Sequence, residues 1–358
     1  MVVMEILNSV EEMRKLDPKD MIGAVYNLPE QIESAMEISY GSELKIEKAD
    51  INKVLVLGMG GSAIGGDVLK SVAFDDAKVP VLVNRDYSLP NFVDENTLVF
   101  AVSYSGNTVE TLESAKKSFE RGAKVVAITS GGELEKFAIE KGITLIKIPK
   151  GLAPRAAIGY VTIPSLVVMD RLGLLPSQKE ALKETIEYLK KAREEFKIEN
   201  PLEKNMAKKL ASLVFGRIPL IYAVEERWAV AGYRWKCQFN ENGKYPAFTH
   251  FFPELNHNEI MSWEADSKII NSFALIFLYT SLEGEMKIRV EFMKEKIEER
   301  GVPVFLWKGE GNYPLTKFFS LTYLGDFTTV YMAYLTGKDP FAIGFINELK
   351  LRIGQSLS

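Results

Sequence analysis

Cysteine and histidine are nearly absent from this sequence, and several classes of protein are excluded with them. The 358 residues contain one cysteine, Cys237, and two histidines. A single cysteine cannot form an intrachain disulfide, which fits a reducing cytoplasm. The same scarcity argues against a structural zinc site, because such sites need several closely spaced Cys and His ligands. We therefore expect a cytoplasmic protein without a metal site.

Long apolar runs and a strong charge of either sign are also missing. The longest apolar runs, such as "SFALIFLY", fall well short of the ~20 residues of a membrane-spanning helix. The N-terminal stretch is charged from Glu5 onward and lacks the apolar centre of a signal peptide. The net charge of -4 argues against a nucleic-acid-binding protein, which usually carries a basic surface. We expect a globular protein that binds neither a membrane nor nucleic acid.

Short apolar segments alternate with polar, helix-compatible segments through most of the chain. They include "KVLVLG", "VPVLVN", "TLVFAVS", "KVVAIT" and "TLIKIP", and then "IPLIYAVE", "INSFALIFLY" and "VPVFLWKG". This alternation is typical of parallel sheets covered by helices on both faces. The chain also exceeds the roughly 250 to 300 residues that one core supports. We predict two α/β domains, at residues 51–175 and 206–340, with a helical N-terminal segment (1–50), a helical connection (176–205) and a C-terminal helix (341–358).

Two of the predicted turns combine glycines with hydroxyl side chains directly after a strand. "GMGGSAIGGD" follows the first apolar run and "SYSGNTVET" follows the third. In a parallel α/β sheet, ligands bind beyond the carboxyl ends of the strands, where helix N-termini favour anions. Hydroxyl groups add hydrogen-bond donors without adding charge. The pattern favours a phosphate site, although each serine or threonine alone could simply cap a helix.

A dinucleotide site is an alternative interpretation of the first turn. Gly58, Gly60 and Ala63 match the G-x-G-x-x-G/A fingerprint, and Asp86 lies where a ribose ligand is expected. A nicotinamide-dependent enzyme therefore remains open, while the hydroxyl-rich second turn favours a monophosphate. A P-loop is excluded because no Gly-Lys-Ser/Thr follows the glycines.

Five ordered motifs resemble the archaeal-type bifunctional phosphoglucose/phosphomannose isomerases, members of the sugar-isomerase (SIS) domain superfamily. The resemblance extends from about residue 50 to the C-terminus and rests on "GMGGSAIGGD", "SYSGNTVET", "APRAAIGY", "RWKCQFNENGKYPAF" and "PELNHNEI". It implies two SIS domains, each a five-stranded parallel sheet flanked by helices, and no cofactor. It also implies that the sugar phosphate is held by Gly61, Ser62, Ser103, Ser105 and Thr108.

The resemblance further implies an aldose–ketose isomerase acting on hexose 6-phosphates through an enediolate. Glu241 matches the base that moves a proton between C1 and C2, a task that suits a carboxylate. His257 matches a ring-opening histidine that reaches the site from the neighbouring subunit, so a homodimer is implied. Arg155 matches an arginine that faces the enediolate, and Lys350 matches a lysine that assists ring opening.

One departure and two alternatives accompany this hypothesis. Ile343 stands near the place where related isomerases carry threonine or glutamine, which favours glucose 6-phosphate over mannose 6-phosphate as substrate. A non-catalytic SIS sensor would need both phosphate turns but not Glu241, His257 and Arg155. An aminosugar-phosphate isomerase would share the turns and act on a different sugar.

Overall fold

The strands form two parallel sheets in the part of the chain that the computed structural model describes, residues 2–46 and 50–356. The first sheet has the order β2-β1-β3-β4-β5 and the second has the order β7-β6-β8-β9. The strands are β1 (Lys53–Leu57), β2 (Val81–Asn84), β3 (Thr97–Ser103), β4 (Lys124–Thr129), β5 (Thr144–Lys147), β6 (Ile218–Val224), β7 (Phe248–Phe252), β8 (Phe273–Tyr279) and β9 (Val304–Lys308).

Helices precede, connect and follow these strands. The α-helices are α1 (Val10–Leu16), α2 (Met21–Tyr26), α3 (Leu28–Gly41), α4 (Gly60–Val72), α5 (Val109–Glu120), α6 (Gly132–Lys141), α7 (Ile158–Arg171), α8 (Lys179–Phe196), α9 (Met206–Val214), α10 (Ala229–Glu241), α11 (Ser267–Ile270), α12 (Gly284–Glu299), α13 (Pro314–Leu335) and α14 (Gly344–Ser356). Shorter 3-10 helices are Val2–Asn8, Pro154–Ala156, Leu202–Lys204, Glu226–Trp228, Glu254–His257 and Glu259–Glu264.

The prediction of two parallel α/β units is confirmed, but the expected fifth strand of the second sheet is wrong. Over the described residues that sheet has four strands. After β9 the chain forms α13, a 22-residue helix buried along nearly its whole length, instead of another strand. The predicted domain boundaries stay a prediction. Of the predicted terminal segments, residues 1, 47–49, 357 and 358 lie outside the described residues.

Burial explains why these segments take the structures they do. All seven residues of β3 are buried, because both faces of the sheet are covered, so the strand is an unbroken apolar run. In contrast α8 is amphipathic, with Leu182, Ile186 and Leu189 buried at helical spacing. No described helix combines the length and the apolar character needed to cross a membrane.

A large central core joins the two sheets. It includes Val56 of β1, Ile221 of β6 and Phe327 of α13, together with side chains of the N-terminal helices. The opposite face of each sheet has a smaller apolar cluster of its own, one around Val99 and the other around Phe277. Because α13 packs against α8, α9 and α10, it holds the second sheet against the rest of the molecule.

Candidate active site

The two glycine- and hydroxyl-rich turns lie at the point where the strand order of the first sheet reverses. β1 and β3 are neighbours, while the connections that follow them lead to β2 on one side and to β4 on the other. Such a switch point leaves a crevice at the carboxyl ends of the strands. The backbone N–H of Tyr104 donates to Ser62 Oγ at 3.4 Å, so the two turns contact one another.

Hydrogen bonds within the second turn fix its shape. Ser103 Oγ accepts from the Gly106 N–H at 3.1 Å and donates to Thr108 Oγ1 at 3.0 Å. Ser105 Oγ accepts from the Asn107 N–H at 3.3 Å. Thr108 precedes α5 and makes no side-chain capping bond there. Because Thr108 Oγ1 accepts from Ser103 and its own proton has no acceptor among the described residues, that proton is available to a ligand at the helix N-terminus.

The first turn lies directly against the segment that carries Arg155. A Cβ on Gly61 would lie 2.9 Å from the carbonyl oxygen of Pro154 and 3.3 Å from Arg155 Cα. Only glycine allows this close backbone approach. The structure therefore brings the first turn and Arg155 together within one chain.

Arg155 is a buried cation that connects the two halves of the molecule. Its side chain is 4% exposed. Nε donates to Asn242 Oδ1 at 2.6 Å, and Nη2 donates to the carbonyl oxygens of Pro340 at 2.7 Å and Phe341 at 3.2 Å. Nη1 lies 3.5 Å from Glu241 Oε2. Burial lowers the pKa of Arg155, and the negative charges of Glu241 and Asp339 oppose this shift.

Glu241 is the last residue of α10 and has one side open to solvent. Its side chain is 32% exposed, so the carboxylate contacts Arg155 while part of it stays accessible. The next residue, Asn242, is buried and donates to Thr329 Oγ1 at 3.1 Å. The carboxylate is thus held at the end of a helix anchored on α13.

A buried ion pair supports the backbone of Arg155 from behind. Arg234 Nη1 and Nη2 donate to the Arg155 carbonyl oxygen at 3.3 and 3.4 Å. Arg234 Nη2 also pairs with Asp326 Oδ2 at 2.7 Å, and Gln238 Nε2 donates to Asp326 Oδ1 at 3.1 Å. The position of Arg155 is therefore fixed at both its side chain and its main chain.

Among the described residues, neither His257 nor Lys350 forms a hydrogen bond or an ion pair with the residues of this site. α10 starts near the carboxyl end of β6 and returns to the amino edge of the second sheet, where Glu241 ends it. β7 then runs parallel to β6, from the amino ends to the carboxyl ends of the strands. The exposed His257 follows β7 and therefore lies at the carboxyl ends. Lys350 lies on α14, whose side chains from residue 344 to 353 are all exposed.

Comparison with known proteins decides the family. The SIS domain family model matches residues 47–148, and that of the bacterial phospho-glucose isomerase C-terminal SIS domain matches residues 203–353. A bifunctional phosphoglucose/phosphomannose isomerase of Caldicellulosiruptor bescii is 42% identical over 94% of this chain and 99% of that relative. This chain belongs to the bifunctional phosphoglucose/phosphomannose isomerase family. Its two α/β units are accordingly two SIS domains.

Other proteins are similar to this family member at lower identity. A D-glucosamine-6-phosphate 4-epimerase of Sulfolobus acidocaldarius is 33% identical over 69% of this chain and 70% of that relative. The crystal structure of a hypothetical protein from Thermus thermophilus superimposes with a TM-score of 0.74 at 21% identity, covering 97% of this chain and 94% of that one. The latter similarity concerns the fold alone.

Sequence reasoning missed the residues that support the site. Asn242 lies one residue after Glu241 in the motif "QFNENGKYP", so its place beside the predicted base was a usable signal. Arg234 also falls in a motif that carried the resemblance. Asp326 lies in an apolar helix that no motif of the sequence includes. The carbonyl oxygen of Pro340 is a backbone atom, and no sequence pattern predicts its contacts.

Proposed function

We propose that this chain interconverts glucose 6-phosphate and fructose 6-phosphate, and accepts mannose 6-phosphate, as a cofactor-free isomerase of the cytoplasm. The observation that carries the proposal is the ion pair between the buried Arg155 and the partly exposed Glu241, in which Nη1 and Oε2 lie 3.5 Å apart. Through Gly61 this pair adjoins a crevice lined by glycine and hydroxyl groups. A carboxylate and a fixed cation beside a phosphate site are the groups that enediolate chemistry needs.

The two turns would bind the phosphate of the sugar. Gly61 and Ser62 stand in the first turn of α4, and Ser103, Ser105 and Thr108 stand before α5. Both helix N-termini offer unpaired N–H groups to an anion. Of the hydroxyl groups, Thr108 has a free proton, whereas Ser103 already donates to Thr108. Binding at the phosphate would leave the C1–C2 end of the open chain to face the second half of the molecule.

Glu241 would carry the proton and Arg155 would stabilise the oxygen. With an aldose, the carboxylate removes the proton from C2 while electrons move onto the carbonyl oxygen at C1, giving an enediolate. The protonated carboxyl, which exchanges its proton with solvent in a fraction of the turnovers, then protonates C1, and a proton passes from O2 to O1, giving the ketose. A cation fixed before the reaction favours the enediolate over the neutral substrate, which lowers the barrier.

His257 of a partner subunit would open the sugar ring, and Lys350 would assist it. Glu241 and His257 of one chain lie beyond opposite edges of the second sheet. A homodimer can place the end of the second sheet that carries His257 at the crevice of the other chain. The imidazole supplied in this way gives and accepts protons near neutral pH. Hexose 6-phosphate is the small-molecule partner in this proposal.

A test uses Glu241→Gln, with Glu180→Gln on the exposed face of α8 as the matched control. Glutamine keeps the shape but cannot accept the proton, so kcat should fall by about 10²- to 10⁴-fold with little change in substrate affinity. In deuterium oxide, the parent protein and the control should introduce deuterium at C2 of recovered glucose 6-phosphate, and Glu241→Gln should not. Undiminished exchange in Glu241→Gln would assign the base to another residue.

An activity on aminosugar phosphates is the second candidate, favoured by the similarity to the 4-epimerase. Assays with glucose, mannose and glucosamine 6-phosphates, followed by product analysis, separate the two candidates. A change at C4 of glucosamine 6-phosphate without C1–C2 isomerisation would favour the second. Binding of all three sugars without turnover would favour a sensor.

A further inference from the structure

Lys244 makes an unusual set of contacts beside the Arg155–Glu241 pair. Its Nζ donates to the carbonyl oxygens of Glu241 at 2.7 Å, Pro340 at 3.0 Å and Asn242 at 3.4 Å. Two of these carbonyls belong to the end of α10, where helix carbonyls lack partners within the helix. The lysine backbone has a φ of 51°, a left-handed conformation that costs energy for a residue with a Cβ.

The carbonyl oxygen of Pro340 is held by two cations from different parts of the chain. Arg155 Nη2 donates to it at 2.7 Å and Lys244 Nζ at 3.0 Å. Pro340 lies in the connector, residues 337–343, that leads from α13 to α14. The two cations therefore attach the connector to the end of α10, and the connector carries the helix with Lys350.

The charges around Lys244 make this attachment sensitive to pH. Although the residue as a whole is exposed, partial burial of its ammonium group and repulsion from Arg155 lower the pKa of Lys244 to about 8. Asp339 and Glu241 face the same group and oppose the shift. The charge on the ammonium group is therefore lost within the alkaline range of an ordinary activity assay.

We propose that Lys244 is a positioning residue that fixes the end of α10, and with it the carboxylate of Glu241, against the connector to the C-terminal helix. It acts through Glu241 and Pro340 and does not itself touch the substrate. The inference rests on the proposed isomerase function for its effect on turnover, whereas the attachment of the connector is independent of any substrate.

The variants Lys244→Met and Lys244→Arg separate charge from shape. Methionine removes the donors, so kcat should fall on the order of 10- to 100-fold with KM little changed, as expected for a displaced catalytic group. Arginine keeps a charged donor and should restore most of the activity. In the parent protein kcat should decline above about pH 8 as Lys244 loses its proton. The decline should be absent in Lys244→Met and shifted to higher pH in Lys244→Arg.

Lys208 offers a matched control. Its Nζ also donates to three carbonyl oxygens, those of Leu7 at 2.6 Å, Asn200 at 2.7 Å and Ile198 at 2.8 Å, and burial lowers its pKa to about 8 as well. Lys208→Met should lower the melting temperature but leave the pH profile of kcat unchanged. Should that variant fail to fold, Lys338→Met, an exposed lysine of the connector, replaces it.

Amide hydrogen exchange without substrate tests the attachment directly. Peptides covering residues 337–343 should exchange faster in Lys244→Met than in the parent protein and in the control. If the parent protein is active and Lys244→Met has the same kcat, pH profile and exchange rates as the parent, the positioning role is overturned. Faster exchange in a protein that proves inactive on every hexose 6-phosphate would overturn the proposed function and support the attachment.

Discussion

At the scale of single residues, the guanidinium of Arg155 performs a task that a lysine cannot. Nε, Nη1 and Nη2 point to three different acceptors, on Asn242, Glu241 and Pro340. An ammonium group on a flexible stem is a point charge and cannot reproduce this planar fork. The charge of Arg155 alone therefore does not account for its position; the geometry of its hydrogen bonds does.

We expect Arg155→Lys to lower kcat by about 10²- to 10³-fold, the usual effect of losing one fixed donor to a developing oxyanion. Asn242 Oδ1 would also lose its partner, which should destabilise the fold by about 1 to 3 kcal/mol. Steady-state kinetics and chemical denaturation measure the two effects. Arg217→Lys, a partly buried arginine that donates to the Leu213 carbonyl oxygen, is the control and should change neither strongly. Equal kcat for Arg155→Lys and the parent would remove Arg155 from the reaction.

The hydroxyl groups of the second turn should contribute to substrate affinity in different ways. Thr108→Ala removes a free donor, and Ser103→Ala removes a group that shapes the turn. Each should weaken binding of a phosphate sugar by about 1 to 3 kcal/mol, the cost of an unpaired hydrogen bond to a charged partner. Ser103→Ala should lower the melting temperature more than Thr108→Ala, because it removes both bonds of the Ser103 hydroxyl and Thr108→Ala removes one of them. Titration calorimetry with Ser118→Ala, a hydroxyl bonded within α5, is the comparison. Unchanged affinity in both variants would mean that the phosphate binds elsewhere.

At the scale of elements, the second turn depends on one glycine. Gly106 has a φ of 72°, and a Cβ there would lie 1.7 Å from the carbonyl oxygen of Gly131. The turn before α5 is thus packed against the turn before α6. No side chain fits between them without displacing backbone.

Gly106→Ala should therefore lose both stability and affinity for phosphate sugars. Gly142→Ala is the matched control, because Gly142 also has a positive φ, of 64°, but no atom within 4 Å of its missing Cβ. The control should show only the backbone cost, about 1 kcal/mol. Thermal unfolding and calorimetry on both variants separate the collision from the conformational cost. If the two variants lose the same stability, the contact with Gly131 is not a constraint.

The elements that were predicted from sequence and those that were missed differ in how they are buried. Buried parallel strands such as β1 and β3 are continuous apolar runs, so they were recognised, as were the turns that follow them. β7 is an edge strand whose apolar residues are interrupted by Thr249 and His250, so it lacks such a run. α13 is apolar on all sides and shows no amphipathic pattern. The contacts to Pro340 arise only when residues far apart in sequence meet in the fold.

At the scale of the whole molecule, the two SIS domains are oriented so that the carboxyl ends of the strands in the first sheet face the amino ends of the strands in the second. α4 starts beside Arg155, near the end of α10, and its other end contacts Arg227, near the start of α10. The carboxyl edge of the first sheet thus faces the amino edge of the second. His257 lies beyond the other edge, and β7 alone spans roughly 13 Å between them at about 3.3 Å per residue.

This separation leads to a prediction about mixed subunits. Glu241→Gln and His257→Ala should each be nearly inactive, yet a mixture of the two should regain activity after the subunits exchange. In a hybrid dimer, one site combines an intact Glu241 with an intact His257 from the other chain, while the second site lacks both. Since half of the dimers in an equal mixture are hybrids, about a quarter of the parental sites should be restored.

A control for this experiment places both substitutions on one chain and mixes that chain with the parent protein. Each hybrid site then lacks either its base or its histidine, so exchange should reduce activity rather than restore it. Exchange itself is followed by native mass spectrometry with an isotope-labelled chain. Restored activity in the first mixture and loss in the second require that His257 act across the interface, because no arrangement within one chain produces both results. Demonstrated exchange without any recovery would mean that His257 acts within its own chain or has no part in ring opening.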